Sequence, residues 1–281
     1  MAEVVSNDRI AGSRCSTKPR EHVLGMILAR RKFLELGAGA VACTLLQPTP
    51  SAATTPRSKI RAVAFDAFPL LDPRPVFAKA EELFPGRGTE LGIAWRTRQF
   101  EYTWLRTMAG HYADFWQVTD DALSFAAKAL GLELSSNNRA LLMNAYLELR
   151  TWPEVPGALG SMKAAGIRLA VLSNFSERML TANFKNSVLA GSFDYLLSTD
   201  KVGKFKPSPR AYQMAEHAFG VDRGRIVFAA FAAWDAAGAK WFGFPTVWVN
   251  RLNSPAEELS VIPDATCSDL SGVVAFASSH G

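Results

Sequence analysis

The 281-residue chain predicts an α/β fold, a doubly wound parallel sheet carrying an inserted helical cap. Three observations lead there. Short apolar runs at 60–68, 167–174, 193–199, 226–231 and 245–250 are each bounded by polar residues, Gly or Pro, as expected of strands buried on both faces. Helical patterns at 209–219 and 235–242 alternate with the later runs, the arrangement that crossover connections between parallel strands require. About a hundred residues separate the first run from the second, with helical periodicity at 76–83, 89–108, 119–130 and 136–149 and few strand signals. Such an insertion overhangs the carboxyl edge of the sheet, where open α/β sheets bind ligands. The expected division is a leader at 1–57, a core at 58–72 and 151–281, and a cap at 73–150.

Composition narrows the partners. Hydrophobic residues at 48% and charged residues at 20% belong to a folded globular chain rather than a disordered one. The net charge of +5 does not mark a nucleic-acid binder. Residues 1–57 hold eight Lys/Arg against four Asp/Glu, which leaves 23 basic and 22 acidic residues beyond them. No basic run with interleaved aromatics follows, so no nucleic-acid partner is expected. Cys15, Cys43 and Cys267 are odd in number and scattered, and build neither a disulfide framework nor a Cys-rich metal site.

The leader reads Arg30-Arg31-Lys32-Phe33-Leu34, then an uncharged run from Leu36 to Leu46, then Pro48 and Ser51-Ala52-Ala53. This is the layout of a twin-arginine export signal. The run is too short for a stable membrane span. The expectation is a periplasmic or secreted protein, free of the membrane once the signal is removed, whose mature chain starts near Ala53 or Thr54. Met26 is an alternative start.

Four of the five predicted strands end in a group that can do chemistry. Asp66 closes the first, Ser173-Asn174 the second, Lys206-Pro207 follows the third, and Asp235 the fourth. A lone Asp after a strand is ordinarily a turn or helix cap. Four strand ends delivering a carboxylate, a hydroxyl and amide, a cation and an acid to one edge make a site.

That layout resembles the haloacid dehalogenase superfamily, and the similarity is closest to its type II, or (S)-2-haloacid, dehalogenases. It runs over nearly all of 60–276 through Phe84-Pro85-Gly86-Arg87-Gly88, Trp95-Arg96, Glu101-Tyr102-Thr103-Trp104-Leu105-Arg106, Leu172-Ser173-Asn174, Lys206-Pro207 with Tyr212, Ala233-Trp234-Asp235, and Phe242-Gly243-Phe244-Pro245-Thr246 with Trp248-Val249-Asn250-Arg251. The resemblance implies a Rossmann-like core, a homodimer and a small 2-haloacid substrate. It assigns Asp66 as the nucleophile that forms an ester at C2, Arg96 as the cation that meets the departing halide, and Ser173 with Asn174 as the substrate-carboxylate site. Lys206 is the counter-charge that keeps the nucleophile ionised, with Tyr212 and Asp235 orienting water. Phe68, Phe100, Phe115 and Trp234 match the apolar pocket, and Thr97 stands at the position of a family glutamine. Phosphatases of the superfamily carry a second Asp two residues after the nucleophile; here that place is Phe68, and Asp235 lacks an acidic neighbour. Two carboxylates and a lysine are a poor cage for a hard dication, so neither a metal nor a cofactor is expected.

Three departures bear on turnover. The family's Asp-x-Tyr-Gly-Thr-Leu-x-Asp loop is Asp66-Ala67-Phe68-Pro69-Leu70-Leu71-Asp72, one residue shorter and without the threonine hydroxyl. Its Ser-Ser-Asn before Ala-Trp-Asp is Ala230-Phe231-Ala232, and its glutamine is Thr97. Slow ester hydrolysis is the expected consequence. Two rivals stay open: a superfamily hydrolase with a phosphate or another small acid as substrate, and a weakly active or inactive binding homologue.

Overall fold

The computed structural model describes residues 59–185 and 187–280. The leader expectations, including Arg30, Arg31, Cys15 and Cys43, lie outside the described residues.

The core is a six-stranded parallel sheet built from β1 (Ala62–Phe65), β4 (Arg168–Ser173), β5 (Tyr195–Ser198), β6 (Ile226–Ala230), β7 (Thr246–Val249) and β8 (Ala265–Cys267). Their order is β5-β4-β1-β6-β7-β8. β1 and β6 are buried at every position, because helices cover both faces and leave no solvent side for polar alternation. On one face lie α5 (Val155–Ala164) and α9 (Leu270–Ser279); on the other lie α7 (Pro209–Phe219) and α8 (Ala233–Phe242), and a short α6 (Glu177–Leu180) follows β4. The chain winds outward from β1 through β4 to β5, then crosses back to β6 on the other flank. Loops on either side of this reversal splay apart and open a crevice at the carboxyl ends of the strands.

A two-stranded antiparallel ribbon, β2 (Leu71–Asp72) with β3 (Arg150–Thr151), frames the way into and out of the insertion. Between its strands stand α1 (Arg74–Leu83), α2 (Gly88–Ala109), α3 (Phe115–Ala129) and α4 (Ser136–Ala145). Asp114 caps α3 by accepting from Gln117 N, and Ser135 caps α4 by accepting from Asn138 N. Gly88 explains one of the distinctive sequence stretches: a Cβ there would lie 2.2 Å from the Glu81 backbone, so only glycine lets α2 start against α1.

Several boundaries differ from expectation. The first strand stops at Phe65, because Asp66–Phe68 already turn, with Leu70 N and Leu71 N both donating to Ala67 O. The third helix begins four residues earlier than 119, at its Asp114 cap, and the fourth ends at Ala145 rather than 149. β2, β3, β8, α5 and α9 were absent from the sequence expectation: the strands are two or three residues long and show no readable period. Among the described residues no helix is long and apolar enough to cross a membrane.

Candidate active site

All four strand-end groups meet at the crevice. Asp66 follows β1 directly, its backbone fixed by donation to Ala229 O at 2.9 Å. Ser173 is the last residue of β4, Lys206 lies on the loop after β5, and Asp235 sits in the first turn of α8 after β6. Lys206, 1% exposed, donates to Asp66 Oδ1 at 2.7 Å and to Asp235 Oδ2 at 2.6 Å. The buried Tyr212 hydroxyl donates to Asp235 Oδ1 at 2.7 Å. Asp66, Lys206, Asp235 and Tyr212 thus form one continuous polar chain on the floor of the crevice.

The ammonium between two carboxylates is what makes the burial tolerable, since an unpaired buried charge is costly. Burial alone would push Lys206 down, but the Asp235 and Asp66 carboxylates outweigh it and hold the lysine above its ordinary pKa. Asp235 is pushed up to about 6 by burial, against the opposing pull of Lys206. Burial, then the adjacent Asp235 charge, drives Tyr212 well above the ordinary tyrosine range, so it stays a hydrogen-bond donor.

Ser173 and Asn174 are buried beside this chain. Ser173 Oγ accepts from Phe175 N at 3.1 Å, which leaves its own proton available to donate. The Asn174 side-chain carbonyl is committed elsewhere: it accepts from Lys206 N at 2.9 Å and ties the two loops together.

The roof comes from the insertion. Arg96 of α2 lies against the rings of Phe68, Phe100 and Phe231 at 5.5, 5.0 and 6.0 Å, and its buried NH1 atom has no hydrogen-bond partner. Burial lowers its pKa, and the charge of Asp66 works against that; a guanidinium nonetheless keeps its proton at neutral pH. A desolvated cation set over aromatic rings, with one carboxylate as its counter-charge, is arranged to receive an anion.

The aromatic wall contains most of the expected rings and some others. Phe68 meets Phe175 at 5.3 Å and Phe231 at 5.6 Å, and Phe100 meets Trp234 at 5.1 Å. Trp104 packs on both Phe100 and Trp234, with a buried Nε1 that has no partner. Phe115 stands behind the wall: it reaches Phe68 only through Phe175, at 5.8 Å. Thr97 is not brought into the site. It is exposed, because a residue adjacent to Arg96 on a helix projects about 100° away from it. The buried amide on this helix is instead Gln99, which donates to Thr119 Oγ1 at 2.7 Å. Phe175, Phe231 and Trp104 were missed; the available signal was a strand end for Phe175 and Phe231, and for Trp104 a place one helical turn after Phe100 on α2.

Ala230 closes β6 fully buried, and Ala232 begins α8 without a side-chain cap. Neither offers a donor to the chain of polar groups, so Lys206 relies on the two carboxylates.

The chain matches the haloacid dehalogenase-like hydrolase family over residues 44–243. It is 44% identical to an (S)-2-haloacid dehalogenase of Pseudomonas sp. (strain YL), over 76% of this chain and 93% of that protein. It is 37% identical to haloacetate dehalogenase H-2 of Moraxella sp. (strain B), over 77% and 97% respectively. Among solved structures, an L-2-haloacid dehalogenase, RSc1362, superposes with a TM-score of 0.77 at 42% identity, covering 79% of this chain and all (100%) of that one. The L-2-haloacid dehalogenase of Xanthobacter autotrophicus, solved with chloropropionic acid covalently bound, gives a TM-score of 0.72 at 33% identity over 78% and 98%.

Proposed function

The chain belongs to the haloacid dehalogenase-like hydrolase family, and from that membership we propose that it hydrolyses short (S)-2-haloalkanoic acids to (R)-2-hydroxy acids through an ester on Asp66. The observation that carries the reading is the pairing of a buried, lysine-braced carboxylate with a guanidinium whose buried NH1 lacks a hydrogen-bond partner, across an aromatic pocket.

The substrate carboxylate is held by the Ser173 hydroxyl and the backbone at Asn174. Asp66 Oδ1 is engaged by Lys206, whereas Oδ2 accepts only a long 3.4 Å contact from Phe68 N among the described residues. Oδ2 is therefore the oxygen free to attack C2. The new C–O bond forms as the carbon–halogen bond breaks, and the halide leaves with the bonding pair toward Arg96. A fixed cation is most effective on charge that develops in the transition state. Water then adds at the aspartyl carbonyl carbon, with Asp235 taking its proton; at about 6 its pKa suits a general base near neutrality. The acyl–oxygen bond breaks, the departing alkoxide takes the proton held by Asp235, and the hydroxy acid leaves while Asp66 loses the remaining water proton to solvent and returns to its carboxylate.

The test is to incubate the purified chain with (S)-2-chloropropionate and follow free halide together with intact protein mass. Halide released over many turnovers, and abolished by Asp66→Asn, supports the proposal. One halide per chain with a stable mass adduct identifies a working nucleophile with failed hydrolysis, the outcome that Ala230 and Ala232 would explain. No halide and no adduct would exclude this substrate class.

Two further properties belong to the same reading. Export through a twin-arginine signal to the periplasm rests on the order of Arg30-Arg31, apolar run and Ser51-Ala52-Ala53; replacing both arginines by lysine in a fusion of residues 1–57 to a reporter should stop export. A homodimer is supported by exposed apolar side chains along α2, where Ile93, Leu105 and Met108 are 65, 59 and 86% exposed. Light scattering of the purified chain should give twice the monomer mass, and a monomer would refute it.

A further inference from the structure

In the shortened nucleophile loop the carbonyls of Phe68, Pro69 and Leu70 are each taken by a donor from outside the loop. Trp152 Nε1 donates to Phe68 O at 3.1 Å. Arg251 donates to Pro69 O through NH2 at 2.7 Å and Nε at 3.1 Å. The backbone of Trp152 donates to Leu70 O at 3.2 Å. Three consecutive carbonyls are thus taken by two residues, 84 and 182 positions away along the chain in the side-chain contacts.

The two clamps also support each other. Arg251 lies over the Trp152 ring at 4.4 Å, and Arg74 lies against the same ring at 4.7 Å. The Arg251 side chain, 5% exposed, is paired with Glu154, whose carboxylate is also within 3.5 Å of Leu270 N at the start of α9. The loop is therefore referenced to β3, to the turn after β7 and to α9 at once.

We propose that Trp152 and Arg251 are positioning residues for the nucleophile: they fix the Phe68–Leu70 carbonyls and, through them, the direction of Asp66 Oδ2 and of the Phe68 ring beside Arg96. This rests on the reading of Asp66 given above. The two do not touch the reacting atoms. They act through Phe68, whose N–H reaches Asp66 Oδ2 at 3.4 Å and whose ring lies 5.5 Å from the Arg96 guanidinium. Arg251 ends a stretch that carries the family resemblance without an assigned role, and the loop gives it one. The substrate-carboxylate groups Ser173 and Asn174 stand on a different strand, so attack and binding separate.

The experiment compares the full chain with Trp152→Phe, which keeps an aromatic ring between the two arginines and removes the N–H with the rest of the five-membered ring, and Arg251→Lys, which keeps the charge and removes the two-donor fork. Hydrogen exchange of the peptide spanning 66–71 should accelerate about tenfold in each, since a carbonyl anchor is lost and local opening becomes easier. In single turnover with (S)-2-chloropropionate, ester formation read by intact mass should slow about tenfold, as small misplacements of a reacting group do, with the substrate concentration at half-saturation unchanged. Unchanged exchange in both variants overturns the clamp. Faster exchange with ester formation at the parent rate overturns the positioning role, as does a loss confined to substrate affinity. If the parent chain itself forms no ester, the reading of Asp66 fails, while the exchange comparison still decides the clamp.

Discussion

Replacing Lys206 with methionine tests the electrostatic logic of the site. The ammonium lies 2.7 Å from one carboxylate and 2.6 Å from another, with the lysine and Asp235 both 1% exposed. At an effective dielectric of about 20, each contact is worth roughly 6 kcal/mol of attraction. Desolvation of the three groups offsets much of this, and removing one partner of a buried set costs about 3–5 kcal/mol because the rest are left uncompensated. For a domain of this size, about 2–4 °C per kcal/mol gives a fall in Tm of roughly 6–20 °C at about pH 8. The sign with pH follows from Asp235. It already stands at about 6 while Lys206 pulls it down, so in Lys206→Met it climbs further. A carboxyl whose folded-state pKa is raised favours folding most when protonated and loses that contribution as pH rises through its folded pKa. The deficit should therefore be largest near pH 8 and shrink toward pH 5. Urea unfolding of both proteins across that range reads it. A deficit independent of pH, or none at all, would refute the paired-charge account.

Other consequences concern the reaction. The rate of ester hydrolysis should fall on the acid side with a midpoint near 6, as Asp235 takes up its proton, and Tyr212→Phe should move that limb upward by removing a hydrogen bond that holds Asp235 down; a pH–rate profile of deacylation checks both. Arg96→Gln should slow ester formation by about 100- to 1000-fold while leaving Tm equal or higher, because the buried unpartnered NH1 atom disappears; stopped-flow halide release and thermal unfolding separate the two effects. Substituting Thr97 with valine should leave both steps unchanged, since the residue is exposed and off the site.

The polar site was legible because each member follows a readable strand: Asp66, Ser173, Lys206 and Asp235 all sit at the carboxyl ends of apolar runs, and parallel topology alone brings such ends together. Arg96 depended on the similarity of the insertion to a known family, as a helical arginine carries no periodic signal of function. Phe115 and Thr97 mark the limit of residue-by-residue transfer, because one lies behind Phe175 and the other on the outer face of α2. The β2–β3 ribbon and β8 were illegible for lack of length. Trp152 and Arg251 were invisible for another reason: their contacts with Phe68 and Pro69 join distant parts of the chain and are set by tertiary packing.

The central claim is that Asp66 bonds to carbon and water attacks the aspartyl carbonyl. A single turnover in oxygen-18 water, with enzyme in excess over (S)-2-chloropropionate, decides it. The account predicts label in the peptide containing Asp66 and unlabelled oxygen in the hydroxy acid released. Label in that first-turnover product, with Asp66 unlabelled, would mean that water attacks C2 directly and would contradict it.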